Sequence, residues 1–163
     1  MDISQWIFPL SPAGVGTAIL CGFIVGFERQ LSGKAAGIRT STLICMGAYL
    51  FTSISGLLGE NADSARVIGQ IITGIGFIGA GVIIGREGIV LGVTTAAVIW
   101  VLAAIGIMIG LDRYMTAIVL SVLTVVLLTG VSIMEYLCKS LQRGVHKRLI
   151  RDPKPLPEAN KEA

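Results

Sequence analysis

Residues 67–85 contain no charged side chain, and the second half of that run, Gly74-Ile75-Gly76-Phe77-Ile78-Gly79-Ala80-Gly81-Val82-Ile83-Ile84-Gly85, holds five glycines in twelve residues. At ~1.5 Å per residue, a helix of this length spans roughly the ~30 Å hydrocarbon core of a bilayer. A glycine weakens a helix in water by ~1 kcal/mol relative to alanine, so a helix that only faced lipid would gain nothing from five of them. Glycine suits a helix whose backbone other helices approach closely. At 100° per residue, Gly74, Gly81 and Gly85 fall on one line, and Gly69, Gly76 and Ala80 on a second, about 140° away. Two small-residue seams predict a helix packed on both sides, near the centre of a bundle. The same letters, Gly74-x-Gly76-x-x-Gly79, match the dinucleotide-binding fingerprint. That motif needs a preceding strand within a soluble βαβ unit, and the apolar flanks here exclude it.

The rest of the chain supports a membrane setting. It is 53% hydrophobic and 14% charged, with a mean hydropathy of +0.81, values outside the range of soluble domains. Cys21 and Cys45 lie in apolar stretches and Cys138 just beyond the last one. Scattered in this way they read as free thiols, without a disulfide framework or a metal site. A cleavable signal peptide is not expected, because the first apolar run has no basic residues before it and only Asp2.

Read in order, the sequence predicts an all-α membrane protein, a bundle of five transmembrane helices. The first covers about 12–30, entered through Pro9 and Pro12, and carries Gly14, Ala18, Gly22 and Gly26 as a second small-residue stripe. A basic connection over 28–39 leads to a second span over 40–59, which Thr40, Ser41 or Thr42 could cap. The acidic loop 60–66 follows, with Asp63 a candidate cap for the glycine-rich third helix. Arg86-Glu87-Gly88 links that helix to a fourth span over 89–111, and Asp112-Arg113 turns the chain into a fifth over 114–134. Rich in Val and Leu, the fifth is expected on the lipid-facing periphery. Two regions result: a transmembrane domain over 1–135, and a cytoplasmic segment over 136–163. In the latter, Leu137, Leu141, Val145 and Leu149 recur every four residues opposite Lys139, Arg143 and Lys147. That is a basic amphipathic helix suited to anionic lipid headgroups; a solvated continuation of the fifth span is the alternative. A proline-rich tail expected to be disordered ends the chain.

Orientation follows from the basic residues. Five spans put Arg29, Lys34, Arg39, Arg86 and seven tail residues on one side, and only Arg66 and Arg113 on the other. The N-terminus is then outside and the C-terminus cytoplasmic.

The sequence contains no catalytic constellation: His146 is its only histidine, and nucleophile-elbow, zincin, Walker and Cys-x-x-Cys patterns are absent. An enzyme is not expected, and the basic residues sit where topology puts them, so no nucleic-acid partner is invoked. The polar residues near the spans are Glu28, Arg29, Arg39, Asp63, Arg66, Gln70, Thr94, Thr95 and Asp112. One reading makes them interfacial anchors, caps and local ion pairs, Glu28 with Arg29 or Arg39, and Asp63 with Arg66. The other makes them functional. Mg²⁺ wants oxygen ligands; Glu28 on the inner side and Asp63 on the outer could each supply one, but no metal site or other cofactor is defined by the spacing.

Gly26-x-Glu28-Arg29, Ala36-Gly37-Ile38-Arg39-Thr40, Asp63-x-x-Arg66, the glycine-rich run 74–81 and Gly92-Val93-Thr94-Thr95-Ala96-Ala97-x-x-Trp100 occur in that order. Together they closely resemble the MgtC/SapB family of bacterial inner-membrane proteins, over about 12–134, with Ile78 and Val93 where leucine would be expected. The resemblance implies a multi-pass plasma-membrane protein tied to growth at low magnesium, acid adaptation or intracellular survival and virulence. It implies a regulator that binds other membrane proteins, the F-type ATP synthase among them, rather than an enzyme. The alternative is a small Mg²⁺ transporter, which with five helices would work as a homo-oligomer. The motif residues carried over are Glu28, Arg29, Arg39, Thr40, Asp63, Arg66, Gln70, Thr94, Thr95 and Trp100, with Gly22, Gly26, Gly74, Gly76, Gly79 and Gly81 as packing positions. Virulence-associated members carry an ACT-like cytoplasmic domain after the helices. This sequence has the basic helix and tail there, so nothing residing in that domain is carried over.

Overall fold

The computed structural model describes residues 9–57, 64–86 and 89–137. They form five helices: α1 Pro12–Leu31, α2 Ile38–Ser55, α3 Ser64–Gly81, α4 Val93–Gly110 and α5 Tyr114–Leu137. Residues 1–127 make one compact unit and 128–163 a second, whose described part is the end of α5. Three stretches, Ser64–Gly81, Val93–Gly110 and Tyr114–Met134, are long and apolar enough to cross a membrane. In α1 and α2, the Glu28-Arg29 pair, Arg39 and several hydroxyl residues dilute the hydropathy. Residues 60–63 of the expected acidic loop, Asp63 among them, Cys138, His146 and the segment expected as a basic helix and tail lie outside the described residues, while Ser64–Arg66, expected in that loop, form the first turn of α3.

Local chemistry explains most boundaries. Ser11 caps α1 by accepting a hydrogen bond from the Gly14 N–H at 2.9 Å, and Pro12 occupies the first helical position. The expected hydroxyl cap of α2 is corrected: α2 begins after Gly37 without a side-chain cap, and Thr40, Ser41 and Thr42 lie inside the helix. Ser41 instead donates to the Ala36 carbonyl at 2.9 Å.

The all-α expectation needs one amendment between α3 and α4. The third helix ends at Gly81 rather than Gly85, and the fourth starts at Val93 rather than Ile89. Between them lies an antiparallel hairpin, β1 Ile84–Arg86 and β2 Ile89–Leu91, pairing Ile84 with Leu91, Gly85 with Val90 and Arg86 with Ile89. Its β-branched residues favour extended backbone once the helix has ended. Gly92 then turns the chain into α4 at φ 88°, and a Cβ there would collide with the Val82 carbonyl. Glycine is required at that point on both counts.

The centre of the packed unit is α4, not α3. Thr95, Val98, Ile99, Leu102, Ala103, Ile105, Gly106, Ile107 and Ile109 are buried and cover more than half of the helix surface, while Thr94, Ala97 and Trp100 mark an exposed face. α2 lies against it most extensively, and α1 packs on α2. The contacts are backbone-close. A Cβ at Gly106 would meet the Cys45 carbonyl and, at 2.7 Å, the Ala48 Cβ; one at Gly110 would strike the Thr52 side chain. The α1 stripe behaves as expected: Gly14, Ala18, Gly22 and Gly26 are all buried. A Cβ at Gly22 would lie 2.5 Å from the Thr42 Cα, and one at Gly26 2.6 Å from the Ile38 Cα.

The glycine-rich α3 departs from its expected central place. Gly79 is its one buried residue, in ordinary contact with Ala96, while Gly69, Gly74, Gly76 and Gly81 would each accept a Cβ with nothing within 4 Å. Phe77 is 85% exposed. Only one edge of α3 is engaged, where Ile68, Ile71 and Ile75 pack against the Ala48–Ala103–Ile107 cluster. The first half of α5 meets the expectation of a peripheral helix. Ala117 and Ser121 are its buried residues, while Met115, Val119, Val126 and Leu127 face outward.

Candidate functional site

The inward stripe of α1 does not stop at Gly26. Three residues on, one helical turn, the same face presents Arg29, which is only 3% exposed. Its guanidinium reaches two groups. One terminal nitrogen lies 3.7 Å from Glu28 Oε2, and the other donates to the Thr95 hydroxyl at 3.5 Å. Nε makes no hydrogen bond, nor does Glu28 Oε2. Glu28 Oε1 accepts from the Ser32 hydroxyl at 2.8 Å, one turn further on. Both guanidinium contacts are longer than a good charge-assisted bond of ~2.7–2.9 Å. Thr95, itself buried, belongs to the first turn of α4. The C-terminal end of α1 and the N-terminal end of α4 therefore meet through a cation with weak partners.

The other expected site residues are distributed around this point and away from it. Arg39 and Thr40 are exposed in the first turn of α2, and Thr94 is exposed beside Thr95. Trp100 is half exposed on the outer side of α4. Arg66 is exposed in the first turn of α3. Thr40 and Gln70 line a groove of about 600 Å³ between α2 and α3, otherwise walled mainly by Leu43, Ile44, Phe51, Ile71 and Ile78, with notches at Gly47 and Gly74. Of the ten polar motif residues, the structure thus brings together Glu28, Arg29 and Thr95, while Thr40 and Gln70 share only the lining of that groove. Between the two ion-pair partners weighed for Glu28, Arg29 is the one it meets. Neither Glu28 nor any other described residue belongs to a group of three or more acidic, histidine or cysteine side chains that could hold a metal.

A second polar network was not anticipated. The Ser11 N–H donates to the Tyr49 hydroxyl at 2.8 Å, the Ser11 and Tyr114 hydroxyls are 3.2 Å apart, and Tyr114 donates to Asp112 Oδ1 at 2.7 Å. A Cβ on Gly14 would collide with the Tyr49 hydroxyl. This network ties the starts of α1 and α5 to α2. Only the tyrosines at the ends of apolar runs could have signalled it.

Comparison with known proteins places these features in a family. The sequence pattern of the MgtC family matches residues 15–137. YhiD of Escherichia coli (strain K12), named as a candidate magnesium transporter, is 47% identical over 119 residues, covering 68% of this chain and 55% of its own. Protein MgtC of Brucella abortus (strain 2308) is 44% identical over 93 residues, covering 57% and 39%. Protein MgtC of Salmonella typhimurium (strain 14028s / SGSC 2262) is 40% identical over 107 residues, covering 65% and 46%. The chain spans about half the length of the curated relatives it matches. No solved structure matches it.

Proposed function

The chain belongs to the MgtC family, and on that premise we propose that it is a multi-pass protein of the bacterial inner membrane that acts by binding other membrane proteins under low-magnesium, acid or intracellular stress. It crosses the bilayer five times, N-terminus outside and C-terminus cytoplasmic, and the basic residues that follow the last span favour anionic headgroups. The F-type ATP synthase is a partner to test first, and self-association would enlarge the available surface.

The observation that carries this reading is the contrast between the groove and the charges. The groove between α2 and α3 is apolar apart from Thr40 and Gln70, and Glu28, Arg29, Arg39, Arg66 and Asp112 all lie at or near helix ends. Mg²⁺ surrenders its water reluctantly and is held by oxygen ligands. An apolar groove suits a helix or an acyl chain better. A second reading, a small oligomeric Mg²⁺ transporter, is favoured by the name of the Escherichia coli relative.

Reconstitution separates the two. The purified protein in liposomes should pass no Mg²⁺ above protein-free vesicles, even under a steep gradient and an imposed potential. Saturable uptake that Glu28→Ala abolishes would replace the regulator with the transporter. Orientation has its own check, motivated by the eleven-to-two division of basic residues. In a cysteine-free background, a cysteine at position 62 should react with an impermeant thiol reagent in intact cells, and one at position 34 should not. The reverse pattern would invert the topology.

A further inference from the structure

A guanidinium out of water is stable when its donors meet anionic oxygens at hydrogen-bonding distance, and costly otherwise. Arg29 has five N–H donors, yet its two contacts are at 3.5 and 3.7 Å, and Nε has no partner. Packing does not require a cation there: the positions before it on the same face are Gly22, Val25 and Gly26. The neighbouring structure deepens the electropositive field. α4 begins at Gly92 with no side-chain cap, and the first-turn amides of an uncapped helix are unsatisfied donors at its positive end. Arg29 is aimed at that turn, through the Thr95 hydroxyl. The nearby carboxylate of Glu28 does not resolve this, because its facing oxygen Oε2 stands 3.7 Å away without a hydrogen bond while Oε1 is turned to Ser32.

We propose that the junction of the α1 C-terminus with the α4 N-terminus is a phosphate-binding site, in which Arg29 and the first-turn amides and hydroxyls of Thr94 and Thr95 hold one phosphate group. A tetrahedral phosphate presents oxygens to a planar guanidinium and to helix amides at once, which a single carboxylate does less well. Two sources share that chemistry, the headgroup of a bilayer phospholipid and free inorganic phosphate. Glu28 acts as the internal competitor, partly occupying Arg29 until phosphate displaces it. The site stands independently of which membrane role the protein plays.

Thermal unfolding of the purified full chain in neutral detergent tests this, with phosphatidylglycerol, phosphatidylethanolamine and inorganic phosphate titrated separately against a chloride control of equal ionic strength. At least one probe should raise Tm saturably, by roughly 5 °C near saturation. A lipid shift without an inorganic one identifies a headgroup, and the converse a soluble anion. Arg29→Lys keeps the charge but loses the fork and should weaken the midpoint by ~10-fold. Thr95→Val should weaken it less, and Glu28→Gln should tighten it by removing the competitor. These two variants carry the test if Arg29→Lys does not fold. The proposal is overturned if no probe shifts Tm beyond chloride, if the shift is the same in all variants, or if Glu28→Gln abolishes it.

Discussion

Two parts of this molecule use glycine in opposite ways. Along α1 and α4, Gly14, Gly22, Gly26, Gly106 and Gly110 each face a neighbour so closely that a single added carbon would strike backbone or a packed side chain. Along α3, a denser set, Gly69, Gly74, Gly76 and Gly81, faces open space. Composition alone favours α3 as the packed helix, and the geometry selects α4. A small-residue stripe lowers the cost of close approach but does not supply the partner. What gives α4 its central place is a broad buried face of Val98, Ile99, Leu102, Ile105 and Ile109, beside which Gly106 and Gly110 let α2 approach closely.

The largest expected effect is therefore on the α2–α4 seam. Gly106→Leu must displace the backbone of α2 at Cys45 or Tyr49, and overpacking at a backbone contact should cost about 3 kcal/mol or more. The measurement is Tm and monodispersity in detergent; a variant that unfolds with the native protein would remove α4 from the centre. Gly22→Leu should behave alike on the α1–α2 seam.

Next in size is Gly92→Ala. Only one carbon is added, but at φ 88° and against the Val82 carbonyl. A left-handed conformation costs a non-glycine residue about 1–3 kcal/mol before any clash. Tm should fall clearly, by less than in Gly106→Leu. An unchanged Tm would mean that the hairpin before α4 does not hold the geometry described.

How far the sequence reveals this arrangement depends on which force decides each feature. The helices were legible because hydropathy and punctuation agree: Pro12 opens α1, and Asp112-Arg113 separates α4 from α5. The α1 stripe was legible because four small residues at one spacing lead to a real neighbour. The hairpin was hidden because Val82, Ile83, Ile84, Ile89 and Val90 suit a membrane helix and a strand equally, so hydropathy does not distinguish them. The Gly106–Gly110 pair had the right spacing but was overshadowed by five glycines in α3. At the candidate site, the motif residues were identifiable, and the spacing of Gly22, Gly26 and Arg29 points inward. What the sequence could not provide was the meeting of Arg29 with Thr95, 66 positions away. Nor could it show that Tyr49 and Tyr114 converge on Ser11.

The smallest expected effect is the most informative about α3. From the sequence alone, Gly76→Leu would disrupt a packed seam. In the structure a Cβ at Gly76 meets nothing within 4 Å, and Phe77 beside it is 85% exposed. A leucine there should leave the monomer's Tm within the ~0.5 kcal/mol typical of exposed positions, helped slightly by leucine's better helix propensity. The variant thus separates two roles that the glycines of α3 could serve. If the exposed face remains against lipid, Gly76→Leu is neutral in detergent stability, oligomeric state and low-magnesium growth alike. If another helix docks there in the membrane, monomer stability is still unchanged, but cross-linked oligomer or captured partner is lost, and growth with it. A large fall in monomer Tm would instead return α3 to the packed interior, and with it the central place that α4 holds here.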